Sequence, residues 1–231
     1  MNDKRILFKQ FVDACNKNDF IIGQGNPISN ILFIGCEPSG KPELKETNKM
    51  HTYECLSELN GKSFDKLWVT HPNKKEGCTW KKYQKIINTI YPDREHAQGN
   101  EIDFEEMAFC TELNNVCARH SKDADKSTIA QKIDLIKESS FIQSFPVVIL
   151  ACGGYIVNQA DNRQIDDTFG VTFSNLGLPE DSTQNYWIHY NIDPDKPRLV
   201  IHTRQLSGGI KNELVFSIGN TIKQFLISNN L

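Results

Sequence analysis

The chain has 231 residues, of which 39% are hydrophobic and 24% are charged, and its formal net charge is −3 at neutral pH. This composition is typical of an ordinary folded protein and excludes an intrinsically disordered chain. The length suits one substantial hydrophobic core and is marginal for two, so we predict a single domain over residues 1–231.

Neither a membrane span nor a secretory signal is predicted. The longest apolar runs, such as residues 147–152, fall far below the ~20 residues that a spanning helix needs, and MNDKRILFKQF at the start has charge too early for a signal. The seven cysteines form no C-x-x-C pair; they are residues 15, 36, 55, 78, 110, 117 and 152. This scatter favours reduced thiols in the cytoplasm, and we expect no cofactor, no metal ion and no membrane partner.

The first half of the chain alternates between helical and strand-like patterns. Apolar residues recur at helical spacing over residues 4–17, and a run of Ile, Leu, Phe and Ile predicts a buried strand over residues 30–36. A second amphipathic helix is predicted over residues 79–91, and Pro92 ends it. Residues 107–116 predict a second strand that runs into a polar turn.

The second half continues the alternation. The predicted order is a helix over 126–139, a buried strand over 146–151 that leads into a short helix, a polar irregular segment over 161–185, a strand-like segment over 186–190, a buried strand over 199–202 and a long helix over 210–228. Nearly all-apolar strands that alternate with helices indicate an α/β protein. We therefore predict a three-layer α/β/α fold around a central, mostly parallel, four-stranded sheet, with ligands at the carboxyl ends of the strands.

Basic residues are concentrated in two stretches. Residues 71–90 carry five Lys against one Glu, and residues 196–211 carry two Lys and two Arg without an acid. Residues 93–106, which lie between them in the chain, are strongly acidic. The two basic stretches either share a face and form a positive groove, or they are separate solvated surfaces.

The loop after the first strand reads GCEPSG at residues 35–40 and comes close to a phosphate loop when Lys41 is included. Pro42 stands where that motif needs a Ser or Thr hydroxyl for magnesium, and it disfavours the helix that should start there. A phosphate-loop enzyme is therefore the least favoured hypothesis.

A second interpretation of this loop places a functional carboxylate at the end of the strand. Glu37 lies between Gly35, which lets the backbone approach a ligand, and Pro38, which stiffens the turn. A carboxylate at this point can orient and polarise a water molecule. The alternative is a turn glutamate that faces solvent.

Two stretches at opposite ends of the chain resemble motifs of the uracil-DNA glycosylase superfamily. GCEPSG at 35–40 resembles GQDPYH, and HTRQLS at 202–207 resembles HPSPLS. ELNNV at 112–116 is similar to the strand-end LLLN segment, and VVILACGG at 147–154 to the next core strand. The resemblance covers residues 30–215 and implies a uracil-DNA glycosylase-like fold, a role in DNA repair, DNA binding with base flipping, and hydrolysis of the N-glycosidic bond of a flipped uracil or related pyrimidine.

The resemblance implies a role for each matched residue. Glu37 takes the place of the aspartate that positions the attacking water, and His202 that of the histidine that stabilises the leaving base. Asn114 takes the place of the asparagine that reads the base edge. Leu206, expected to be exposed, takes that of the wedge inserted into the duplex, and Ser207 would contact phosphates.

The motifs also depart from the family pattern. Gly35, Pro38 and Ser39 are expected to line the substrate pocket, but Ser39 stands where the family has a tyrosine that excludes thymine. Thr203 and Arg204 replace a proline and a serine, so Arg204 would contact phosphate through a guanidinium. The aromatic side chain that should stack on the base has four candidates: Tyr53, Phe64, Trp68 and Trp80.

Two hypotheses follow. The first is a DNA base-excision glycosylase, and the second is a catalytically inactive module on the same fold that binds nucleic acid or a nucleotide. The expected partner is DNA, single- or double-stranded, with a nucleotide as the other ligand that the second hypothesis allows, and for both we expect a monomer. A nucleophilic thiol at Cys36, Cys110 or Cys152 is a weaker alternative, because cysteines in such apolar runs are more often structural.

Overall fold

The computed structural model describes residues 4–38, 78–95, 102–118, 121–179, 183–191 and 193–231. Its helices are α1 (Lys4–Lys17), α2 (Cys78–Ile90), α3 (Ile129–Glu138), α4 (Gln164–Phe169) and α5 (Asn212–Ser228). Its strands are β1 (Gln24–Gly25), β2 (Ile31–Gly35), β3 (Ala108–Glu112), β4 (Val147–Ala151), β5 (Asn158–Gln159), β6 (Asn162–Arg163), β7 (Thr172–Gly177), β8 (Tyr186–Asn191) and β9 (Arg198–Thr203). Three short 3₁₀ helices cover Phe104–Glu106, Ile142–Ser144 and Gly153–Tyr155.

Seven strands form one sheet in the order β1-β3-β2-β4-β9-β8-β7. The four central strands, β3, β2, β4 and β9, run parallel, and the outer strands β1, β8 and β7 pair antiparallel. The predicted α/β class and its four parallel strands are confirmed, but the prediction of a four-stranded sheet is wrong, because three antiparallel strands extend it.

The segment 161–185, predicted to be irregular, contains β6, α4 and β7. Most side chains of β7 are polar or exposed, so its sequence has no apolar alternation that would reveal a strand. Its pairing with β8, from Thr172 opposite Tyr190 to Gly177 opposite Tyr186, creates the strand. An edge strand of this kind owes its conformation to a neighbour and not to local preference.

Helices pack on both faces of the sheet, which gives the predicted three layers. Along β2, Leu32 and Ile34 contact the face covered by α1, α3 and α4, and Ile31 and Phe33 contact the face covered by α2 and α5. Alternating side chains along a strand point to opposite faces, so an all-apolar strand is buried on both sides. In the described part of the chain, no helix is long and apolar enough to span a membrane.

The connections between the parallel strands reverse direction at the centre of the sheet. From β2 the chain passes to β3 on one side, and it then returns to β4 on the other side. In open α/β sheets such a reversal opens a crevice at the carboxyl ends of the two strands concerned, and ligands bind there. A ligand site is therefore expected at the residues that follow β2 and β4.

Candidate functional site

Glu37 lies at this crevice, two residues after β2, and only 7% of it is exposed. Its Oε1 accepts a hydrogen bond from Ser121 Oγ at 2.5 Å, and its Oε2 accepts one from the hydroxyl of Tyr155. Tyr155 ends the 3₁₀ helix that follows β4, so residues from two neighbouring connections hold one carboxylate. The alternative of a turn glutamate that faces solvent is therefore wrong.

The groups around Glu37 are protonated at neutral pH. Burial raises the pKa of the Tyr155 phenol, and its hydrogen bond to Glu37 raises it further. Burial also raises the pKa values of the thiols of Cys36, Cys110 and Cys152. Tyr155 therefore remains a hydrogen-bond donor, and the three thiols are neutral groups of the core rather than activated nucleophiles.

A second carboxyl group, Glu112, lies beside this position at the end of β3. Register places Glu112 next to Gly35, and its Oε2 is buried without a hydrogen-bond partner among the described residues. Burial and, next in size, the charge of Glu37 raise its pKa to about 8, with a smaller opposing effect of Lys132. Sequence reasoning missed Glu112, although an acid that closes the apolar run AFCT was a usable signal.

His202 lies in β9 and is almost fully buried, with 4% of its surface exposed. Its Nε2 donates a hydrogen bond to the carbonyl of Gly153 at 2.8 Å, and its Nδ1 accepts one from Asn158 Nδ2 at 3.2 Å. Burial lowers the pKa of His202 to about 4, so the ring is neutral at pH 7. The indole of Trp187 lies against it, with ring centroids 5.2 Å apart.

Asn158 links His202 to a second buried histidine. Its Nδ2 also lies 3.3 Å from His189 Nε2, and its Oδ1 accepts a hydrogen bond from Arg163 at 2.9 Å. His189 Nδ1 in turn lies 2.5 Å from Asp166 Oδ1. Both hydrogens of the Asn158 amide and both ring nitrogens of His202 are therefore used inside the protein, which leaves His202 no free N–H for a leaving base.

Two further predicted residues are used in the interior of the protein. Asn114 is fully buried; its Nδ2 donates to the carbonyl of Asp125 at 2.8 Å, and its Oδ1 accepts from the Val116 N–H at 3.2 Å. Leu206 is 0% exposed and belongs to the core beneath α2 and α5. The expectation that Leu206 is exposed is wrong, because the chain after β9 turns this apolar side chain inward.

The other predicted substrate-binding residues lie around the crevice. Gly35 is buried against Glu112, Pro38 is half-buried, Arg204 is exposed and Ser207 is half-exposed. Ser39 and the candidate aromatic residues Tyr53, Phe64 and Trp68 lie outside the described residues. The fourth candidate, Trp80, packs edge-on against Phe104 and is a core aromatic residue.

The two basic stretches meet where the structure describes them. Lys82 Nζ donates to the carbonyl of Ile210 at 2.7 Å, and Lys85 Nζ donates to Asn212 Oδ1 at 3.0 Å. Ile210 and Asn212 flank Lys211, at the start of the helix that follows β9. This part of the expected shared basic face is therefore present, whereas residues 71–77 lie outside the described ranges.

A groove of about 1140 Å³ lies elsewhere, between β8 and α5. Its lining includes Tyr190, Phe216 and Phe225 and none of the site residues predicted from sequence. The choice of Glu37 as the candidate functional residue therefore depends on the geometry of the sheet and not on the size of a cavity.

No protein-family model matches this chain, and no curated protein is significantly similar to it.

Proposed function

We propose that this protein is a glycosylase of uracil-DNA glycosylase type, which hydrolyses the N-glycosidic bond of a flipped uracil or related pyrimidine in DNA. The observation that carries the proposal is Glu37, a carboxylate fixed at the topological switch point by Ser121 and Tyr155. Hydrogen bonds from neutral hydroxyls favour the charged form of a carboxyl group, and a positioned carboxylate can act as a general base on a water molecule. The substrate class, uracil or a related pyrimidine in DNA, is inferred from the resemblance of the motifs around Glu37 and His202 to those of the uracil-DNA glycosylase superfamily.

In this reaction water attacks C1′ of the sugar, and the base departs with the electron pair of the C1′–N bond. The carboxylate of Glu37 orients the water, takes up its proton and balances the positive charge that develops on the sugar. His202 does not contact the leaving base in the arrangement seen here, because its Nε2–H donates to Gly153. We assign to His202 a role in holding the Gly153–Tyr155 helix that carries the partner of Glu37.

A nucleic-acid substrate is supported by the basic residues near the carboxyl edge of the sheet. Lys82 and Lys85 contact the start of α5, and Arg204 and Lys211 are exposed on the same connection after β9. Phosphate contacts of this kind supply most of the affinity for DNA and make it dependent on salt. Arg204→Ala should therefore weaken DNA binding and flatten its salt dependence while the fold stays intact.

The test is an excision assay on single- and double-stranded oligonucleotides that each carry one uracil or 5-substituted uracil, with abasic sites detected by alkaline cleavage. We expect Glu37→Gln to lower turnover by about 10²–10⁴-fold, the usual effect of removing a positioned acid–base group. Glu138→Gln, at an exposed position at the end of α3, is the matched control and should retain full turnover. Full turnover by folded Glu37→Gln would overturn the assignment.

A catalytically inactive binding module is the second candidate, and a specific observation favours it. In the proposed glycosylase, Asn114 would read the base and His202 would stabilise it. In the structure, the side chains of both residues form hydrogen bonds within the protein instead. If the wild-type protein binds these oligonucleotides with a steep salt dependence and excises no base from any of them, the binding-module hypothesis is correct.

A further inference from the structure

The backbones that carry Glu37 and Glu112 run side by side past the ends of their strands. Beyond the Gly35–Glu112 pair of the ladder, the N–H of Leu113 donates to the carbonyl of Gly35 at 3.1 Å, and the N–H of Asn114 donates to the carbonyl of Cys36 at 2.8 Å. The two acids therefore leave adjacent parallel segments at the same edge of the sheet, next to the crevice.

The carboxyl group of Glu112 occupies space that exists because residue 35 is a glycine. A Cβ at position 35 would lie 2.1 Å from Glu112 Oε2, which is far inside van der Waals contact. Glu112 itself keeps part of its surface exposed while Oε2 is covered. A buried polar oxygen without a partner is uncommon in a folded protein, and such groups concentrate at functional sites.

The surroundings of Glu112 disfavour a second negative charge. Within the described ranges, no Lys or Arg forms an ion pair with it, and Glu37 is the neighbouring acid. The other titratable groups that interact electrostatically with Glu112 are Lys132 of α3, Tyr83 of α2, and the thiols of Cys36, Cys110 and Cys152. Of these, Lys132 alone carries a positive charge when protonated, and its pKa is lowered by burial. Burial and the charge of Glu37 therefore favour the neutral form of the Glu112 carboxyl group.

We propose that Glu112 is the acid of this site, the carboxyl group that gives its proton to the departing base while the carboxylate of Glu37 orients the attacking water. The inference rests on the proposed glycosylase function and adds to it the group that His202 does not supply. Pairs of carboxyl groups held in opposite protonation states by their environment are a general solution for cleaving glycosidic bonds.

Every bond, electron pair and proton in this step is accounted for. As the C1′–N bond breaks, its electron pair goes to the base, and the base takes the proton of Glu112. The water oxygen bonds to C1′, and its proton passes to Glu37. Transfer of one proton from Glu37 to Glu112 then restores the starting state, so the net reaction consumes one water molecule and needs no further reactant.

The first test measures protonation directly and does not depend on turnover. In protein labelled with ¹³C at the glutamate carboxyl groups, we expect one glutamate to titrate with a pKa of about 8. This signal should be absent from Glu112→Gln, should move to lower pH in Glu37→Gln, because the neighbouring charge is removed, and should be unchanged in Glu138→Gln. If every glutamate titrates in the ordinary acidic range, the proposal is wrong.

The second test separates this inference from the proposed function. On a substrate that the wild-type protein processes, Glu112→Gln should lower kcat by about 10²–10⁴-fold with little change in KM, and the alkaline limb of the pH–rate profile near pH 8 should disappear. If Glu37→Gln is inactive while Glu112→Gln keeps full turnover and the same profile, Glu112 is not the acid and the proposed function stands. If the wild-type protein excises no base, the proposed function fails, and the donor role of Glu112 fails with it. Should Glu112→Gln not fold, the titration of the wild-type protein and of Glu37→Gln still decides the point.

Discussion

The hydroxyl of Tyr155 donates a hydrogen bond to the carboxylate of Glu37, so a residue that follows β4 fixes an acid that follows β2. The two strands are neighbours in the sheet, although paired residues such as Leu32 and Val148 are 116 positions apart in the chain. Only the topology of the fold brings them together. The contact links the connections after β2 and β4, and Tyr155→Phe removes it with little change in the shape of the side chain.

Tyr155→Phe deletes this donor and should loosen Glu37, although Ser121 still holds the other carboxylate oxygen. A hydrogen bond to a charged group contributes about 1.5–3 kcal/mol, so we expect a fall in Tm of several degrees and a drop in turnover of about tenfold or more. Tyr190→Phe, on β8 and away from Glu37, is the matched control. Thermal melting and the excision assay measure the two effects, and an unchanged Tm together with unchanged turnover would contradict the contact.

Gly35→Ala should displace Glu112, because the new Cβ would lie 2.1 Å from Oε2 and 2.9 Å from Cδ of that side chain. Because the clashing atoms are the far end of a flexible side chain, we expect a cost of about 1 kcal/mol, at the low end for overpacking, and denaturant unfolding measures it. In a Glu112→Ala background the cost should shrink, because the clashing atoms are gone. Gly154→Ala is the control: a Cβ at that position meets nothing within 4 Å, so its stability should barely change. Equal costs for Gly35→Ala in both backgrounds would refute the predicted clash.

Stability at acid pH should depend on His202. Its pKa is about 4 in the folded protein, against 6.5 for an unperturbed histidine. Between these values the unfolded chain binds the proton and the folded protein does not, so stability that is present above pH 6.5 is lost as the pH falls towards 4. The effect is on the order of 3 kcal/mol, and His202→Gln should reduce it. Urea unfolding at constant ionic strength measures the slope, and identical slopes for the two proteins would contradict the prediction.

Glu112 should act with the opposite sign at higher pH. Its pKa is about 8 in the folded protein, against 4.5 for an unperturbed glutamate. Between these values the folded protein keeps the proton and the unfolded chain has lost it, so stability falls as the pH rises through this window. The ceiling is on the order of 5 kcal/mol, since each pKa unit corresponds to about 1.4 kcal/mol. Glu112→Gln should flatten the decline, and a wild-type curve that Glu112→Gln reproduces would argue against the shift.

The positions of the long helices and central strands can be predicted from the sequence, because each depends on a local pattern of apolar residues. Helical spacing of apolar residues predicts α1 and α5, and apolar runs predict β2 and β4, to within a few residues of their observed ends. The same runs predict a sheet covered on both faces, and hence that Glu37 lies at a carboxyl edge where ligands bind. This much follows from periodicity, since a buried strand and an amphipathic helix each carry their pattern within a single segment.

What the tertiary structure decided depends on partners that are distant in the chain. The strand β7 exists through its pairing with β8, Leu206 is buried because α2 and α5 cover it, and His202 loses its free N–H to Gly153 and Asn158. The carboxyl group of Glu112 fits against the backbone because residue 35 is a glycine. Its pKa is raised by burial and by the neighbouring charge of Glu37. The residues that the fold brings against a side chain determine its burial, its charge environment and its free hydrogen-bonding groups. A linear pattern of residue types does not contain this information.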